Sequence, residues 1–431
     1  MEFLIREVLK TLDRRNQLPK PPEGTRFPLP AIHKVELYLS FYGNDYCSHC
    51  ITNSGPHRKE TMTPYNVRPI LENIAKYSVI TRLKTVAGSG DFVFDVPDKC
   101  KKLDELESPP EKMTEELIWQ YTDCMMGKGY TSKWINEGTA IDLNFGRPSV
   151  RISGGEFYTW PHELDGREVS EKQRLTYQKK LLDDIRKILP EYDIFILTNG
   201  RFAETSEKAK RVVKHWAGGS TAAGGLTRIS ISLDIFHRPP KGSTVEQMLQ
   251  RIWTACKNVR LGAPFLYGIN NHWVALAGRA LESFGCCYKC KPQLQNVSGS
   301  SFNPQGEIKL DPVDLISLGG CRELKGFVCE TKFGTMLVDN IVIMTTGQLA
   351  YCCVCVGDFG NFLYEPENAL KSITTDPVAM MLRREQTAIN LLNIAVELDP
   401  TIKVFGYGKN AAVTGSTCYQ FLSGKRIVKY I

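Results

Sequence analysis

Cys47 and Cys50 stand two residues apart just after an alternating run, residues 35–41, in which Val35, Leu37, Leu39 and Phe41 share one side. That alternation predicts a strand, and a strand that delivers thiols into its exit loop is how an α/β protein places a metal or cofactor at the carboxyl ends of its sheet. Two thiols at this spacing can chelate one centre, but a cubane cluster needs at least three thiolates or substitutes. Asp45 and Tyr46 are near in sequence but differ from a thiolate in reach and softness. Cys100, Cys124 or a cysteine from the C-terminal part are the other donors within the chain. The residues leave this choice open.

Three later strand ends carry ligand-binding residue types. Ile152-Ser153-Gly154-Gly155-Glu156 closes one predicted strand, Thr198-Asn199-Gly200 the next, and Ser232-Leu233-Asp234 the third. Glycines after a strand let backbone approach a ligand closely, and a neighbouring carboxylate can bind an ammonium or ribose hydroxyls. Each tripeptide alone is an ordinary turn signal. Their succession downstream of a cysteine-bearing strand end is what points to a site. His237, three residues after Asp234, is a weaker candidate, since a loop histidine commonly satisfies a local hydrogen bond.

The elements that position these residues follow from periodicity. Thr63-Pro64 with Val67, Ile70, Leu71 and Ile74 predicts a helix with Pro in its first turn. Strands are predicted over 149–153, 192–197 and 228–233, and helices over 170–189, 203–217 and 245–259. Such repeated strand–helix units argue for a parallel sheet or barrel. Residues 80–147 break the rhythm and read as an insertion, charge-dense over 98–112 and helix-like over 113–126. Residues 1–30 form an arm, with a short amphipathic helix followed by Leu18-Pro19-Lys20-Pro21-Pro22. Beyond about residue 276 the pattern turns to Cys, Gly and short strand-like runs, then a predicted helix over 377–398, which places a domain boundary there.

Composition narrows the class. The chain has 431 residues, 42% hydrophobic and 23% charged, with a net charge of +7. These are the values of an ordinary globular protein, and the modest charge is a general surface bias without a nucleic-acid footprint. The charged N-terminus does not resemble a secretion signal, and no run approaches the ~18 apolar residues of a membrane-spanning helix. A reducing cytoplasm is the expected location. The 14 cysteines cluster at 47/50, 286/287/290, 321/329 and 352/353/355, which in that setting means metal or redox use. Cys100, Cys124, Cys256 and Cys418 are expected as small buried hydrophobes. The pair Cys287/Cys290 could equally form half a structural zinc site. Phosphate-loop, nucleophile-elbow and helical metalloprotease motifs are absent from the sequence.

Taken together, the segment Gly43-Asn44-Asp45-Tyr46-Cys47-Ser48-His49-Cys50, followed by Asn53-Ser54-Gly55-Pro56, resembles the cluster loop of the radical S-adenosylmethionine superfamily. That loop is usually written Cys-Asn-x-x-Cys-x-His-Cys, and the departure here is Gly43 in place of its first Cys. The resemblance covers roughly residues 34–275. It implies a partial (β/α)6 TIM-like barrel with a Cys-rich α+β C-terminal extension, divided as arm (1–30), barrel (31–275) and auxiliary domain (276–431).

The resemblance further implies S-adenosylmethionine held by Gly154, Gly155, Glu156, Asn199, Ser232 and Asp234. A [4Fe-4S] cluster would sit on Cys47 and Cys50, its third ligand unassigned. Gly347-x4-Cys352 resembles the auxiliary-cluster element of SPASM and twitch domains, which implies one further iron–sulfur cluster near Cys321, Cys329, Cys352 and Cys355. The implied reaction is reductive cleavage of S-adenosylmethionine and hydrogen abstraction from a small molecule or a peptide side chain, with flavodoxin or ferredoxin as electron donor. Neither a nucleic acid nor a membrane is an expected partner. No catalytic residue is assigned. If the redox cluster has been lost, the same fold would serve a non-radical S-adenosylmethionine enzyme or a ligand-binding or interaction module.

Overall fold

The computed structural model describes residues 2–16, 29–46, 50, 52, 54–106, 108–110, 120, 124, 129–143, 145–217, 227–232, 237, 239–259, 261, 265–267, 328–330, 336–338, 341–351, 359–375, 394 and 397–398. At its centre lies a seven-stranded sheet. In spatial order its strands are Phe265–Tyr267, Thr227–Ser232, Asp193–Thr198, Ser149–Gly154, Lys34–Ser40, Ile341–Ile343 and Leu349–Tyr351. The first six run parallel and the last is antiparallel. We call Lys34–Ser40, Ser149–Gly154, Asp193–Thr198 and Thr227–Ser232 the first to fourth strands.

From Lys34 to Tyr267 each new strand of this sheet lies beside the previous one without reversal. Right-handed crossovers of that kind place all connecting helices on the same side. The side chains agree. Val35, Leu37, Val150, Ile152, Ile194, Ile196, Ile229 and Ile231 face the helices Pro64–Lys76, Glu171–Ile188, Ser206–Ala217 and Val245–Asn258 in one continuous core. The opposite, inner face is far more polar: Glu36 and Arg151 approach to 3.8 Å, Arg147 bonds Asp193 at 3.0 Å, and Ser230 is fully buried. The first strand is therefore covered on both faces, as parallel strands are, and its alternation reflects inner versus outer layer.

Local chemistry accounts for the helix boundaries. Pro64 opens the first of these helices where its missing N–H is not needed. Ser170 with Gln173 and Thr244 with Gln247 form reciprocal capping boxes at the starts of two others. Observed bounds match the predicted helices closely, except that the third begins at Ser206 rather than near 203. In the N-terminal arm, Glu2–Arg14 is helical, and Val8 and Leu12 are fully buried in the main core.

Within the insertion, Asp91–Asp95, Thr131–Asn136 and Thr139–Leu143 form a separate antiparallel sheet, accompanied by the helix Asp98–Glu105. Cys100 and Cys124 are both buried, as expected, but they are bonded to each other as a disulfide with their Cα atoms 5.6 Å apart. This overturns their candidacy as the missing cluster ligand, because a bonded pair has no thiolate to donate. Cys256 is a buried core residue as anticipated, its thiol pushed up to about 12 by burial. The expected boundary near 276 and the helix-like 377–398 lie largely outside the described residues. Strands from beyond that boundary, 341–343 and 349–351, join the central sheet directly. No described helix is long and apolar enough to cross a membrane.

Candidate functional site

Register brings the strand exits together. Ser40 lies opposite Gly154, Ile152 opposite Ile196, and Ile231 opposite Thr198, so the carboxyl ends of the four strands form one rim. The loop of interest leaves the first strand at this rim.

Two glycines let the first and second strand ends meet. The Gly155 N–H donates to Ser40 O at 2.5 Å, and the Glu156 N–H donates to Tyr42 O at 3.0 Å. A Cβ at Gly155 would lie 1.9 Å from Tyr42 O, and one at Gly154 would lie 2.4 Å from Ser40 O. Gly154 also has φ of +108°, a conformation that favours glycine. Both glycines are thus required by backbone packing at the rim, whatever ligand they also approach. Gly43 is different: a Cβ there would meet its neighbours at 3.7 Å, an ordinary van der Waals contact, and its φ is not left-handed.

Glu156 is buried and wholly engaged with protein. Its carboxylate accepts from Tyr158 N at 3.1 Å, Thr198 Oγ1 at 2.7 Å and Asn199 N at 2.8 Å. Burial pushes its carboxyl above the usual range, against the pull of those three donors and of the nearby His237 charge. Glu156 therefore ties the second strand end to the third. The short turn that comes next, Phe157–Thr159, is held from behind by fully buried Gln178. Its amide donates to the carbonyls of Phe157, Tyr158 and Trp160 at 2.7–3.0 Å, while its oxygen accepts from Trp216 Nε1.

Asn199 stands among the expected cofactor contacts. Its side-chain amide instead donates to Asn44 Oδ1 at 2.8 Å and Asp45 Oδ2 at 3.1 Å, so it faces the cysteine loop. Arg201 joins the same cluster through an ion pair with Asp45 and a 3.4 Å bond to Asn44 O. On the far side of the loop, the Ser54 N–H donates to Cys50 Sγ at 3.1 Å and Ser54 Oγ donates to Gly154 O at 3.4 Å. Tyr42 stacks on His162 with ring centres 3.6 Å apart and planes 6° from parallel.

Ser232 ends the fourth strand, half-buried, at the same rim. Cys47, Asp234, Cys321, Cys352 and Cys355 lie outside the described residues, as do Cys286, Cys287 and Cys290; Cys329 lies on the short strand Val328–Glu330. The structure thus brings together Gly154, Gly155, Glu156, Asn199, Ser232 and the loop of Cys50. Among the described residues, no three His, Cys, Asp or Glu side chains form a metal-binding group. For a cubane the described donors fall short: Gly43 has no side chain, Asp45 is committed to Asn199 and Arg201, and Tyr46 points to solvent with 66% of its surface exposed.

Sequence reading missed Gln178, Arg201 and the Tyr42–His162 stack. Their side-chain partners lie between 18 and 157 positions away, so no local spacing signals them. Behind the rim, His33 and Trp160 bond the backbone carbonyls of Gly146 and Met62 respectively at 2.8 Å.

No protein-family profile matches the sequence, and no curated protein matches it. Among solved structures, the chain is similar to native anSMEcpe with bound AdoMet and a Cp18Cys peptide. The TM-score is 0.36 at 12% identity, covering 81% of each chain. It is also similar to Streptococcus suis SuiB bound to S-adenosylmethionine. There the TM-score is 0.32 at 12% identity, covering 90% of this chain and 75% of that one.

Proposed function

We propose that this chain is a radical S-adenosylmethionine-type enzyme with an atypical cluster site, acting on a small molecule or a peptide side chain. One observation carries the reading: a cysteine loop leaves the first strand at the rim where Gly154, Gly155 and Glu156 close the second and Asn199 succeeds the third. That rim is where parallel α/β enzymes hold cofactors. In this reading the inner face of the sheet curls into a partial (β/α)6 barrel. Cys47 and Cys50 hold part of a [4Fe-4S] cluster, Ser232 and Asp234 complete the cofactor pocket, and Cys321, Cys329, Cys352 and Cys355 belong to a C-terminal domain with one auxiliary cluster. The bound group would supply electron transfer to S-adenosylmethionine from a flavodoxin- or ferredoxin-type donor. The protein's own contribution at the rim is a pre-set cradle, since Gly155, Glu156 and Gln178 are fixed by internal hydrogen bonds.

A second reading is favoured by Gly43. The backbone there would accept a Cβ at ordinary contact distance, so the glycine is not required by a backbone clash. On that reading the fold keeps a nucleoside pocket without redox chemistry.

Anaerobic reconstitution with iron and sulfide counting, then electron paramagnetic resonance with and without S-adenosylmethionine, separates the two. About four or about eight irons per chain, with a reduced spectrum that shifts on adding S-adenosylmethionine, is the expected result. Stoichiometric zinc without iron would sink the first reading.

A further inference from the structure

We propose that Asp45 is the positioning residue of the cysteine loop: through Arg201 and Asn199 it anchors the loop's leading arm to the third strand end, where residue 43 offers no ligand to do so. The loop has two arms. The trailing arm is fixed to the second strand end through Cys50 Sγ, Ser54 N and the Ser54 hydroxyl on Gly154 O. The leading arm departs at Tyr42, whose carbonyl accepts from Glu156 N, and then passes Gly43, which has no side chain to hold. Asn44 and Asp45 supply the anchor that Gly43 lacks. Asn199 Nδ2 bridges Asn44 Oδ1 and Asp45 Oδ2, and Arg201 bonds Asp45 Oδ1 and Asn44 O. Asn199 is itself oriented, because its Oδ1 accepts from Arg201 N at 3.1 Å.

This pair differs from an ordinary surface ion pair. Only 19% of the Asp45 side chain and 31% of the Arg201 side chain remain exposed, and both charges take further hydrogen bonds in the same cluster. Partial burial weakens screening, and the shared network lowers the entropy lost per bond. Asp45 lies two residues before Cys47, so the Cα atoms of the clamped residue and of the first cysteine can be at most roughly 7 Å apart. Because the contacts involve protein alone, the clamp on Asn44 and Asp45 needs no metal and no third thiolate to form.

The test uses the metal-free full chain, so iron content remains a separate test of the proposed function. Alkylation by iodoacetamide is measured peptide by peptide for Cys50, which is half-buried in the loop, and for Cys256, which is buried in the core. In Asp45→Asn and in Arg201→Gln, the Cys50 rate is expected to rise about tenfold while the Cys256 rate stays within about twofold, because local opening and global unfolding are distinct events. The double variant should label Cys50 no faster than either single one, as coupled partners behave. A Cys50 increase below about threefold overturns the proposal, as does a parallel rise at Cys256, which would report general destabilisation instead.

Discussion

Gly43, Gly154 and Gly155 meet at one rim but answer to different constraints. A methyl group at Gly155 would collide with Tyr42 O at 1.9 Å, and neither partner can yield without breaking the bond from Glu156 N to that same carbonyl. Gly155→Ala should therefore cost at least about 2 kcal/mol of stability, because backbone must move on both strands. Gly43 is free of such pressure, with nothing nearer than 3.7 Å to an added Cβ. Gly43→Cys should cost the metal-free protein less than about 1 kcal/mol, because this buried position meets an added Cβ only at ordinary contact distance. Urea unfolding of the two variants beside the parent checks both. A Gly43→Cys variant as damaged as Gly155→Ala would show that the position is constrained after all. The contrast matters because both residues are simply "glycine in a turn" at the level of sequence, and only packing separates a glycine the backbone requires from one whose position would admit a Cβ.

At the scale of elements, the rim is held by contacts between strand exits and the segments behind them. Tyr42, at the base of the cysteine loop, stacks face to face on His162, just past the turn fixed by Gln178. Partial burial lowers the His162 pKa below its ordinary 6.5, with Arg174 and Lys59 acting in the same direction and Glu168 and Glu163 opposing. Folding thus favours the neutral ring. A group whose folded pKa is depressed binds more protons when unfolded, so its contribution to stability is full above pH 6.5 and is lost as pH falls through the lower folded value. Melting temperatures from pH 7.5 to 5 should fall more steeply for the parent than for His162→Phe, which keeps a stacked ring but cannot titrate. Equal slopes would remove His162 from the account. The strands and helices around this rim were readable because their signals are local: alternation in Val35 to Phe41, and Ser170 with Gln173 at a helix start. The grouping of Gly154, Gly155, Glu156 and Asn199 emerged once successive strands were taken as parallel neighbours. The clamp, the stack and the Cys100–Cys124 bond were not readable, since each joins side chains whose meeting is decided by tertiary packing.

For the molecule as a whole, the end of the sheet opposite the rim is closed by the insertion. Cys100, Leu103 and Cys124 pack on Phe195 and Trp253, and Trp253 Nε1 donates to Leu106 O at 3.1 Å. Arg228, near the start of the fourth strand, is 4% exposed in its side chain and pairs through both terminal nitrogens with Asp104 of the insertion. Lys257 Nζ adds a bond to Asp104 O at 2.5 Å. Arg228 sits on the inner face beside Phe195, so the insertion supplies the counter-charge for a guanidinium that the sheet buries. Removing Asp104 strips the buried guanidinium of its bidentate carboxylate, and losing one partner of a buried pair costs more than the pair contributes. Asp104→Ala is therefore expected to lower the free energy of unfolding by about 3 kcal/mol, the lower end for breaking a buried pair, because 29% of the Asp104 side chain is already exposed. Urea titration monitored by tryptophan fluorescence measures it directly, since Trp253 lies at the junction. In the native state the same variant should leave Cys50 alkylation unchanged, because the junction and the cysteine loop occupy opposite ends of the strands. A loss below about 1 kcal/mol would mean that the insertion hangs on the sheet without sealing it. A change at Cys50 would mean instead that the two ends of the sheet are mechanically joined, through the fourth and third strands that carry Arg228 at one end and Asn199 past the other.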